Sequence, residues 1–430
     1  MNIYGWDMVY ICSNMATNKY LKKYMSDNEI TFSYADTNTN TRINLVFDGW
    51  EIIRGGSSKL LRIKTPVKKG EIEINGSKRD ISGICPVLEV QLNFFNQSVI
   101  SKLAFNFLVE GKNVGDTTDG AVTIINVDSN NKFPGDIVNL FLELLLPATF
   151  IANKNQISFV FAELNLAPNE TWMQPKKYKY AYIAPTGGNN DGYLAVCSVV
   201  TNRDIVQLSP TVDTKMLDNE NDTYLMLSER LFLENIIMPE LPSTFGNGAL
   251  PSYFGVQEDP KTGLAIINTR TLDLSPVRSG STDYYPKLSE LNMKVESNKI
   301  VVTNRGWCDV GFGAYVDFDT KAINQFYYDK NHNNGSFIAD SNPTSNYQKH
   351  IPWYVWAILG IGLVFGAIIV AIIHEVISKV TNSVTQNVRL GSNEYLTKIQ
   401  TSSLTWNGMK ETNTTDALLD VAFCIKGKAT

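Results

Sequence analysis

The sequence predicts an α+β fold in which antiparallel sheets wrap around a few strongly apolar helices. Many segments alternate apolar and polar side chains with a period of two, which is typical of strands with one face on a core and one in water. A few longer apolar segments favour helices instead. Turn-forming clusters such as "RGGSSK" and "GKNVGD" separate the strand candidates.

Four segments show the alternation, at residues 43–47, 88–94, 388–390 and 419–425. The second is the clearest, because Glu89, Gln91 and Asn93 fall between its apolar residues. The apolar positions are Leu88, Val90, Leu92 and Phe94 in that segment and Leu419, Val421, Phe423 and Ile425 in the last one. Each segment predicts a strand that is half-buried.

Four other segments predict helices. The first begins at Asp7, which can cap it, and carries an apolar stripe interrupted by Asn18. The stripe consists of Met8, Ile11, Met15, Leu21 and Met25. The second and third are Pro134–Pro147 and Asp222–Pro239, each stopped by its final proline, and the fourth is Ile351–Val380. Between them, residues 166–191 predict a linker and residues 331–346 an exposed loop.

Composition and charge exclude some classes of protein. The chain has 430 residues, which is enough length for two or three domains. Its net charge of −5 argues against general nucleic-acid binding. The start, "MNIYGWDMVY", has no basic region and predicts no secretory signal peptide. The five cysteines are far apart and form no CxxC pair, so they predict reduced thiols made in a cytosol.

The fourth helix segment allows three interpretations. Residues 351–373 carry no charge, Trp353, Tyr354 and Trp356 cluster at one end, and Gly362 and Gly366 have GxxxG spacing, all of which suits a membrane span. However, half-apolar strands follow it, and they need a sheet to join. We therefore favour a buried helix that is apolar all round because sheet encloses it, with conditional lipid contact and a true span as the alternatives.

Signals for chemistry are scarce. His332, His350 and His374 form no HExxH or other close pair, so they predict no catalytic or metal site. "RGGSSKLL" (residues 54–61) lacks the phosphate-loop spacing and predicts a glycine turn. Residues 218–229 partly match a calcium loop, but Thr223 stands where glycine is wanted, so we favour acidic residues capping a helix at Asp222.

The segment "QPKKYKYAY" interleaves lysines with tyrosines. Lys176, Lys177 and Lys179 could contact anionic head groups or an acidic partner. They could equally guard the edge of a solvated strand. Both interpretations stay open at the level of sequence.

Several segments together resemble a known family. They are "YGWDMVYICSNMATNKYLKKYM", "DGWEII" followed by "GGSSKLLRIKTPV", "SERLFLENIIMPEL" and "IPWYVWAILGIG". In this order they resemble the clostridial P-47 family, the forty-seven-kilodalton accessory proteins of OrfX-type botulinum neurotoxin gene clusters. The resemblance runs the whole length and rests on the order of the segments rather than on one motif.

The resemblance implies a tubular lipid-binding (TULIP) fold, with long helices held in strongly curved antiparallel sheets. It suggests two modules, at residues 1–170 and 171–430, the second including the apolar helix 352–379. It also implies a non-enzymatic accessory protein without a cofactor or metal, whose partners are OrfX-type proteins or the toxin of the same cluster. A phospholipid is the one candidate small ligand, and a membrane surface a further candidate partner.

We therefore expect contacts with lipid or partner along two helices and the lysine strand. The candidate residues are Trp353, Trp356, Leu359, Leu363 and Phe365 on the late helix, Leu231, Phe232 and Ile236 on the third, and Lys176, Lys177 and Lys179. We expect cytoplasmic synthesis, release to act outside the cell, and no integral membrane segment. The competing hypothesis is a single-pass protein anchored at residues 351–373.

Overall fold

A computed structural model describes residues 1–129, 132, 137–184, 192–261, 263–352, 362–385 and 389–429. The chain divides into two compact units. The N-terminal unit comprises Ile3–Leu225, Lys398–Asn413 and Lys426–Thr430, and the C-terminal unit comprises Met1–Asn2, Met226–Thr397 and Thr414–Ile425. The expected division into two TULIP-like modules near residue 170 stays a prediction.

Helices are few in the described residues. They are α1 (Asn14–Asp27), α2 (Ile137–Ala152), α3 (Glu229–Phe232), α4 (Leu241–Phe245), α5 (Gly362–Thr385) and α6 (Asn393–Ser402). A π-helical turn, Leu233–Ile237, and a 3₁₀ turn, Met238–Glu240, connect α3 to α4. The short α3 and α4 therefore belong to one irregular helical segment, residues 229–245.

Strands make up most of the remaining chain, as predicted. The first fourteen are β1 (Met8–Ser13), β2 (Thr31–Asp36), β3 (Thr41–Phe47), β4 (Glu51–Ser57), β5 (Leu60–Lys64), β6 (Val67–Ile74), β7 (Ser77–Asp80), β8 (Cys85–Gln97), β9 (Ile100–Asn106), β10 (Val109–Glu110), β11 (Ala121–Asp128), β12 (Val160–Asn165), β13 (Lys177–Ile183) and β14 (Tyr193–Val199). The others are β15 (Thr223–Leu227), β16 (Phe254–Asp259), β17 (Gly263–Asn268), β18 (Leu272–Asp273), β19 (Val277–Ser279), β20 (Thr282–Tyr284), β21 (Lys287–Glu296), β22 (Lys299–Gly311), β23 (Ala314–Asp329), β24 (Asn334–Ile338), β25 (Thr344–His350), β26 (Leu404–Trp406), β27 (Thr412–Asp420) and β28 (Ala422–Ala429).

The N-terminal unit contains three runs of paired strands. Their orders are β10-β11-β8-β9-β12-β26 with β5 and β4 joined through β8, β2-β3-β6-β7, and β13-β14-β1-β15. An aromatic cluster fills part of the core, where Phe32 lies edge-on to Phe47 and Phe150 with ring centroids 5.0 and 5.2 Å away. Phe150 belongs to α2, so this cluster fixes that helix against the strands.

The predicted strands at residues 43–47 and 88–94 are confirmed as parts of β3 and β8. In β8, however, the polar residues Glu89 and Gln91 are also buried. Glu89 is stabilised there by Arg62, whose Nε lies 3.3 Å from its carboxylate, and by the backbone N–H of Gly115. A buried carboxylate is tolerated when its oxygens are paired in this way.

The C-terminal unit is built on an antiparallel meander, β16-β17-β21-β22-β23-β24, with β18 paired to β21 and β25 to β23. Its long strands keep the period of two. From Ala314 to Phe326 in β23, the even-numbered residues are buried and the odd-numbered ones are exposed or half-buried. We call these the inner and outer faces of the sheet; α5 packs against β22, β23 and β24.

The first helix begins later than predicted. Residues 8–13 form β1, every residue of which is buried, and α1 starts only at Asn14, where the hydroxyl of Ser13 accepts from the N–H of Ala16. Asp7 is not the cap, because its carboxylate accepts from the N–H of Val200 and pairs with Arg203. A strand buried on both faces lacks alternation, so its apolar run resembled a helix.

The predicted start of the third helix is wrong for the same reason. Residues 223–227 form the fully buried strand β15, and helical structure starts at Glu229 with Ser228 as its cap, not with Asp222. Asp222 instead accepts a hydrogen bond from the N–H of Ala429. The helical segment also continues through Pro239 to Phe245.

Smaller boundaries also differ from the predictions. Pro147 lies inside α2 instead of ending it. The alternating segment 419–425 is two strands, β27 and β28, because Val421 adopts a positive φ of 65° between them. Residues 389–391 form a 3₁₀ turn where a strand was predicted. The predicted linker contains β13, and the predicted loop at residues 331–346 contains β24 and the start of β25.

Candidate functional site

Among its described side chains, from Ala367 onward, helix α5 buries one face and exposes the other. Ile369, Ile372, Val376 and Val380 recur at helical spacing and are each at most 2% exposed. On the opposite side Ala367 and His374 are exposed, and Val370 is 65% exposed. The prediction of a helix enclosed on all sides is therefore wrong for the described part of this helix.

An open cleft lies beside this exposed face. It has a volume of about 670 Å³ and lies between α5 and residues 276–278, which include the first two residues of β19. Its lining residues are Pro276, Val277, Arg278, Ala367, Val370, Ala371, His374 and Glu375. Ala367 and Ala371 have small side chains, so they leave room for the cleft along the surface of the helix.

The lining of the cleft has an apolar end and a polar end. Along α5, an apolar stretch from Ala367 to Ala371 is followed one turn later by His374 and Glu375. At 1.5 Å per residue, the whole run from residue 367 to residue 375 spans about 12 Å. Arg278 adds a cation on the other wall. Such a surface can receive a molecule with an apolar tail and a polar or anionic head.

The predicted late-helix residues lie where the structure describes no side chains. Trp353, Trp356 and Leu359 lie outside the described residues, and for Leu363 and Phe365 only the helical backbone is described. The predicted role of these five residues stays a prediction. By length and composition, residues Ala367–Thr385 could cross a bilayer, although 44% of this stretch is buried, and one such helix is weak evidence for a span.

The predicted residues of the third helix are core residues. Leu231, Phe232 and Ile236 are at most 4% exposed, and the ring of Phe232 stacks on Phe423 with centroids 5.0 Å apart. They do not contribute to the described lining of the cleft. Their predicted contact with lipid or partner stays a prediction.

Of the three predicted lysines, Lys177 and Lys179 lie at the start of β13, a terminal strand in its run of paired strands, and Lys176 lies just before it. Lys176 is exposed and donates to the side chain of Gln174. The ammonium of Lys179 donates hydrogen bonds within the protein, since its Nζ lies 2.7 Å from the carbonyl oxygen of Ile205 and 3.2 Å from that of Leu208. Lys177 is half-buried, so Lys176 is the most accessible of the three.

The partial calcium motif has a different use. Asp218 binds the ammonium of Lys426 at 2.8 Å, and its other oxygen accepts from Asn221. Partial burial raises the pKa of Asp218, but the bonds to Lys426 and Asn221 outweigh it and the net pKa is lowered. Within the described residues, no group of three or more His, Cys, Asp or Glu side chains could hold a metal ion.

Known proteins resemble the chain over its full length. A family model described as "OrfX-like: Protein OrfX2/OrfX3/P47" matches residues 3–389. Protein P47 of Clostridium botulinum (strain Kyoto / Type A2) is 38% identical over 435 residues, which covers all of both chains. The chain belongs to the OrfX-like family. The predicted resemblance to the P-47 family is thereby confirmed.

Other members of the OrfX-like family extend this comparison. Protein OrfX3 of Paraclostridium bifermentans is 23% identical over 349 residues, covering 74% of this chain and 70% of that protein. The solved structure of P47 from Clostridium botulinum A2 covers 100% of this chain and 98% of its own, with a TM-score of 0.87 and 36% identity. P47 of Clostridium botulinum E1 gives a TM-score of 0.86 at 33% identity. None of these names denotes an enzyme.

Sequence reasoning missed the wall of the cleft that faces α5. Pro276, Val277 and Arg278 form a short segment without periodicity, so no local pattern connects them to a helix far along the chain. Val370 was included in the apolar segment, but its exposure depends on which strands cover the helix. The one available signal was the pair Ala367 and Ala371, whose small side chains are spaced to lie on one face.

Proposed function

We propose that this protein is a non-enzymatic accessory protein of a toxin gene cluster, with a TULIP-type fold, and that it binds an amphipathic lipid in the cleft beside α5. The exposed apolar face of α5 over Pro276–Arg278 carries this proposal. A soluble protein gains little by leaving Val370 in water, whereas an acyl chain there would gain about 0.8 kcal/mol for each buried CH₂. Membership of the OrfX-like family supports the accessory role.

The polar end of the cleft suggests which lipids would bind. Arg278 and His374 lie next to the apolar stretch, so an anionic head group would meet a guanidinium while its tail lies along α5. Glu375 lies beside His374 on the α5 wall, and its negative charge disfavours a head group with several negative charges. We therefore propose a lipid with a single negative charge, such as a fatty acid or a phosphatidylglycerol.

The direct test measures transfer of a fluorescent-tailed phosphatidylglycerol from vesicles to the purified full chain. Val370→Glu places a charge in the apolar stretch and should reduce transfer at least tenfold. Because Val370 is 65% exposed, this substitution should not disturb the core. Val206→Glu is the matched control, since Val206 is 71% exposed in the N-terminal unit. Equal transfer by both variants would contradict the proposed site.

Native mass spectrometry gives an independent measurement. The purified chain should carry an extra mass that organic extraction removes, and Val370→Glu should lack it. Arg278→Met should keep the binding of neutral lipid but lose the preference for an anionic head group. A chain with no extractable mass and no transfer in vesicles would remove lipid from the proposal and leave partner binding alone.

We also propose that the protein acts together with other proteins of its cluster. Family membership supports this, because the family model groups OrfX2, OrfX3 and P47. Co-expression with the OrfX proteins of the same cluster, followed by affinity purification through a tag on this chain, tests the interaction. Recovery of none of them at physiological salt would contradict it.

A membrane anchor at residues 351–373 is the competing proposal, favoured by the uncharged sequence of this stretch; the helix long and apolar enough to cross a bilayer is Ala367–Thr385, which overlaps it in part. The two proposals differ in one simple observation. An anchored chain would require detergent, whereas the accessory protein should be monodisperse without it in size-exclusion chromatography.

A further inference from the structure

The outer face of the C-terminal sheet has exposed aromatic side chains next to the β22–β23 turn. Trp307 on β22 is 38% exposed and Tyr315 on β23 is 42% exposed. Trp307 pairs with Asp317, two residues from Tyr315, so the two aromatic residues are diagonal neighbours about 7–8 Å apart. The ring of His350 on β25 stacks on Tyr315, with centroids 4.4 Å apart and planes inclined by 10°.

Charged side chains lie close to these rings. Nε2 of His350 lies 2.9 Å from the carboxylate of Asp317, which is itself opposite Trp307. The ammonium of Lys287 lies 5.8 Å from the centre of the Trp307 ring. The stack with His350 and the contact with Lys287 restrict the rotation of the Tyr315 and Trp307 rings, which lowers the entropic cost of binding a ligand against them.

A polar groove continues from the aromatic end along the same face. Its volume is about 350 Å³, at the small end of the range for ligand pockets. Its outward-facing lining includes Glu290, Asn292, Arg305, Asp319, Thr344 and Asn346. A β-bulge between Leu288 and Glu290 interrupts the register of β21 here, and bulges bend and twist the strands that contain them.

The charges of the groove lining sum to zero, because it contains two cations and two carboxylates, Arg305, Lys321, Glu290 and Asp319. Nε of Arg305 lies 2.9 Å from Asp319, and Nη1 of the same side chain lies 3.8 Å from Glu290. Lys287 pairs with Asp273 at 3.0 Å. An anionic ligand would have to compete with these carboxylates, so the groove suits a neutral molecule better than a phosphate or a nucleic acid.

The remaining groups match a molecule rich in hydroxyls. Each hydroxyl both donates and accepts, and the groove offers amide groups on Asn292 and Asn346 with both capacities, plus acceptors on Asp319 and Glu290. The exposed parts of the Trp307 and Tyr315 rings match the apolar C–H face of a sugar ring. We propose that this outer face binds a neutral oligosaccharide, with one ring against the aromatic residues and the next in the polar groove.

The proposal is tested on the full chain with an array of neutral, sialylated and sulfated glycans, followed by titration calorimetry with the best soluble neutral oligosaccharide. Binding to neutral glycans is the expected result. Trp307→Ala and Asp319→Asn should each weaken it at least tenfold. Tyr327→Ala is the matched control, because Tyr327 is a 41% exposed tyrosine on the outer face of β23 away from the groove, and it should change the affinity less than twofold.

Three outcomes would overturn the proposal. They are no binding to any neutral glycan, a preference for sialylated or sulfated glycans, and binding that Trp307→Ala and Asp319→Asn leave unchanged. Loss of a co-purified cluster protein in Trp307→Ala, without glycan binding by the native chain, would assign the face to a protein partner instead. Val370→Glu should leave glycan binding intact, so failure of the lipid proposal is distinguishable from failure of this one.

Discussion

The side chain of Asn18 makes two hydrogen bonds to the backbone of Ile52. Its Nδ2 donates to the carbonyl oxygen at 2.9 Å, and its Oδ1 accepts from the N–H at 2.8 Å. Both residues are buried, so the amide of a helical residue satisfies a strand that would otherwise leave two backbone groups unpaired. The polar interruption in the apolar stripe of the first helix thus joins α1 to β4.

Replacing Asn18 should destabilise the N-terminal unit strongly. Asn18→Ala leaves a buried N–H and C=O without a partner, which should cost about 2–4 kcal/mol of unfolding free energy. Asn18→Asp loses the donor and adds a buried charge, so it should cost at least as much. Urea unfolding followed by circular dichroism measures both. Met15→Ala is the control, since Met15 lies on the same helix at 61% exposure and should cost less than about 0.5 kcal/mol.

Glu229 predicts a pH dependence of stability in the C-terminal unit. Partial burial raises its pKa from 4.5 to about 7, assisted by the nearby charge of Glu258 and opposed by a hydrogen bond from the backbone of Val295. Arg230 lies next to it but pairs with Glu234 and Glu258, at 3.2 and 3.0 Å. The folded state therefore binds a proton at Glu229 that the unfolded state has released between pH 4.5 and 7.

This difference in proton binding sets the direction in which stability changes with pH. The stability that protonated Glu229 provides is fully present below pH 4.5 and is lost as the pH rises through about 7. Glu229→Gln removes the loss, so the variant should be more stable than the native chain at pH 8, on the order of 1 kcal/mol once solvent screening is allowed for. Thermal unfolding between pH 5 and pH 8 should show a smaller slope for Glu229→Gln than for the exposed control Glu143→Gln. Parallel slopes would contradict the assignment.

Local pattern predicts some elements of this fold and not others. The strands around Leu45 and Leu88 are predictable, because period-two alternation depends only on which neighbours are polar. The runs at residues 8–13 and 223–227 are buried on both faces, so they lose the alternation and resemble helices. Only their pairing with distant strands distinguishes them, and a sequence pattern does not contain that information.

The cleft was less predictable than the fold. An apolar helix was expected to bind lipid or a partner, but the exposed face of α5 depends on which side the sheet covers. The opposite wall, Pro276–Arg278, comes from a segment with no periodic signal. Conversely, Leu231 and Phe232 looked like candidates because they are apolar, yet apolar residues most often fill a core, as these do.

The two faces of α5 should respond differently to truncation. Ile372 is fully buried against the sheet, so Ile372→Ala should cost about 2–4 kcal/mol through lost burial and the cavity left behind. Val370→Ala lies two residues away at 65% exposure and should cost less than about 0.5 kcal/mol. Differential scanning calorimetry compares the pair. A large loss for Val370→Ala would mean that the cleft is closed in solution, against the proposed lipid site.

Gly306 is the strand position at which a side chain should be least tolerated beside the polar groove. It lies on β22 among buried inner-face residues, and a methyl group there would collide with the carbonyl oxygen of Lys287 and with the ring of Phe318. The Lys287 oxygen belongs to the neighbouring strand backbone and cannot rotate away. Gly306→Ala should therefore force β21 and β22 apart and cost about 1–3 kcal/mol.

Gly391→Ala is the matched control for Gly306→Ala. An added methyl group at Gly391 would meet nothing within 4 Å, so that variant should retain the stability of the native chain. Because the bulge and the groove share β21 and β22, Gly306→Ala should also weaken neutral-glycan binding, whereas Gly391→Ala should not. Hydrogen exchange of β21 and β22 in the two variants separates these effects: faster exchange confined to Gly306→Ala supports the close strand contact, and equal exchange would contradict it.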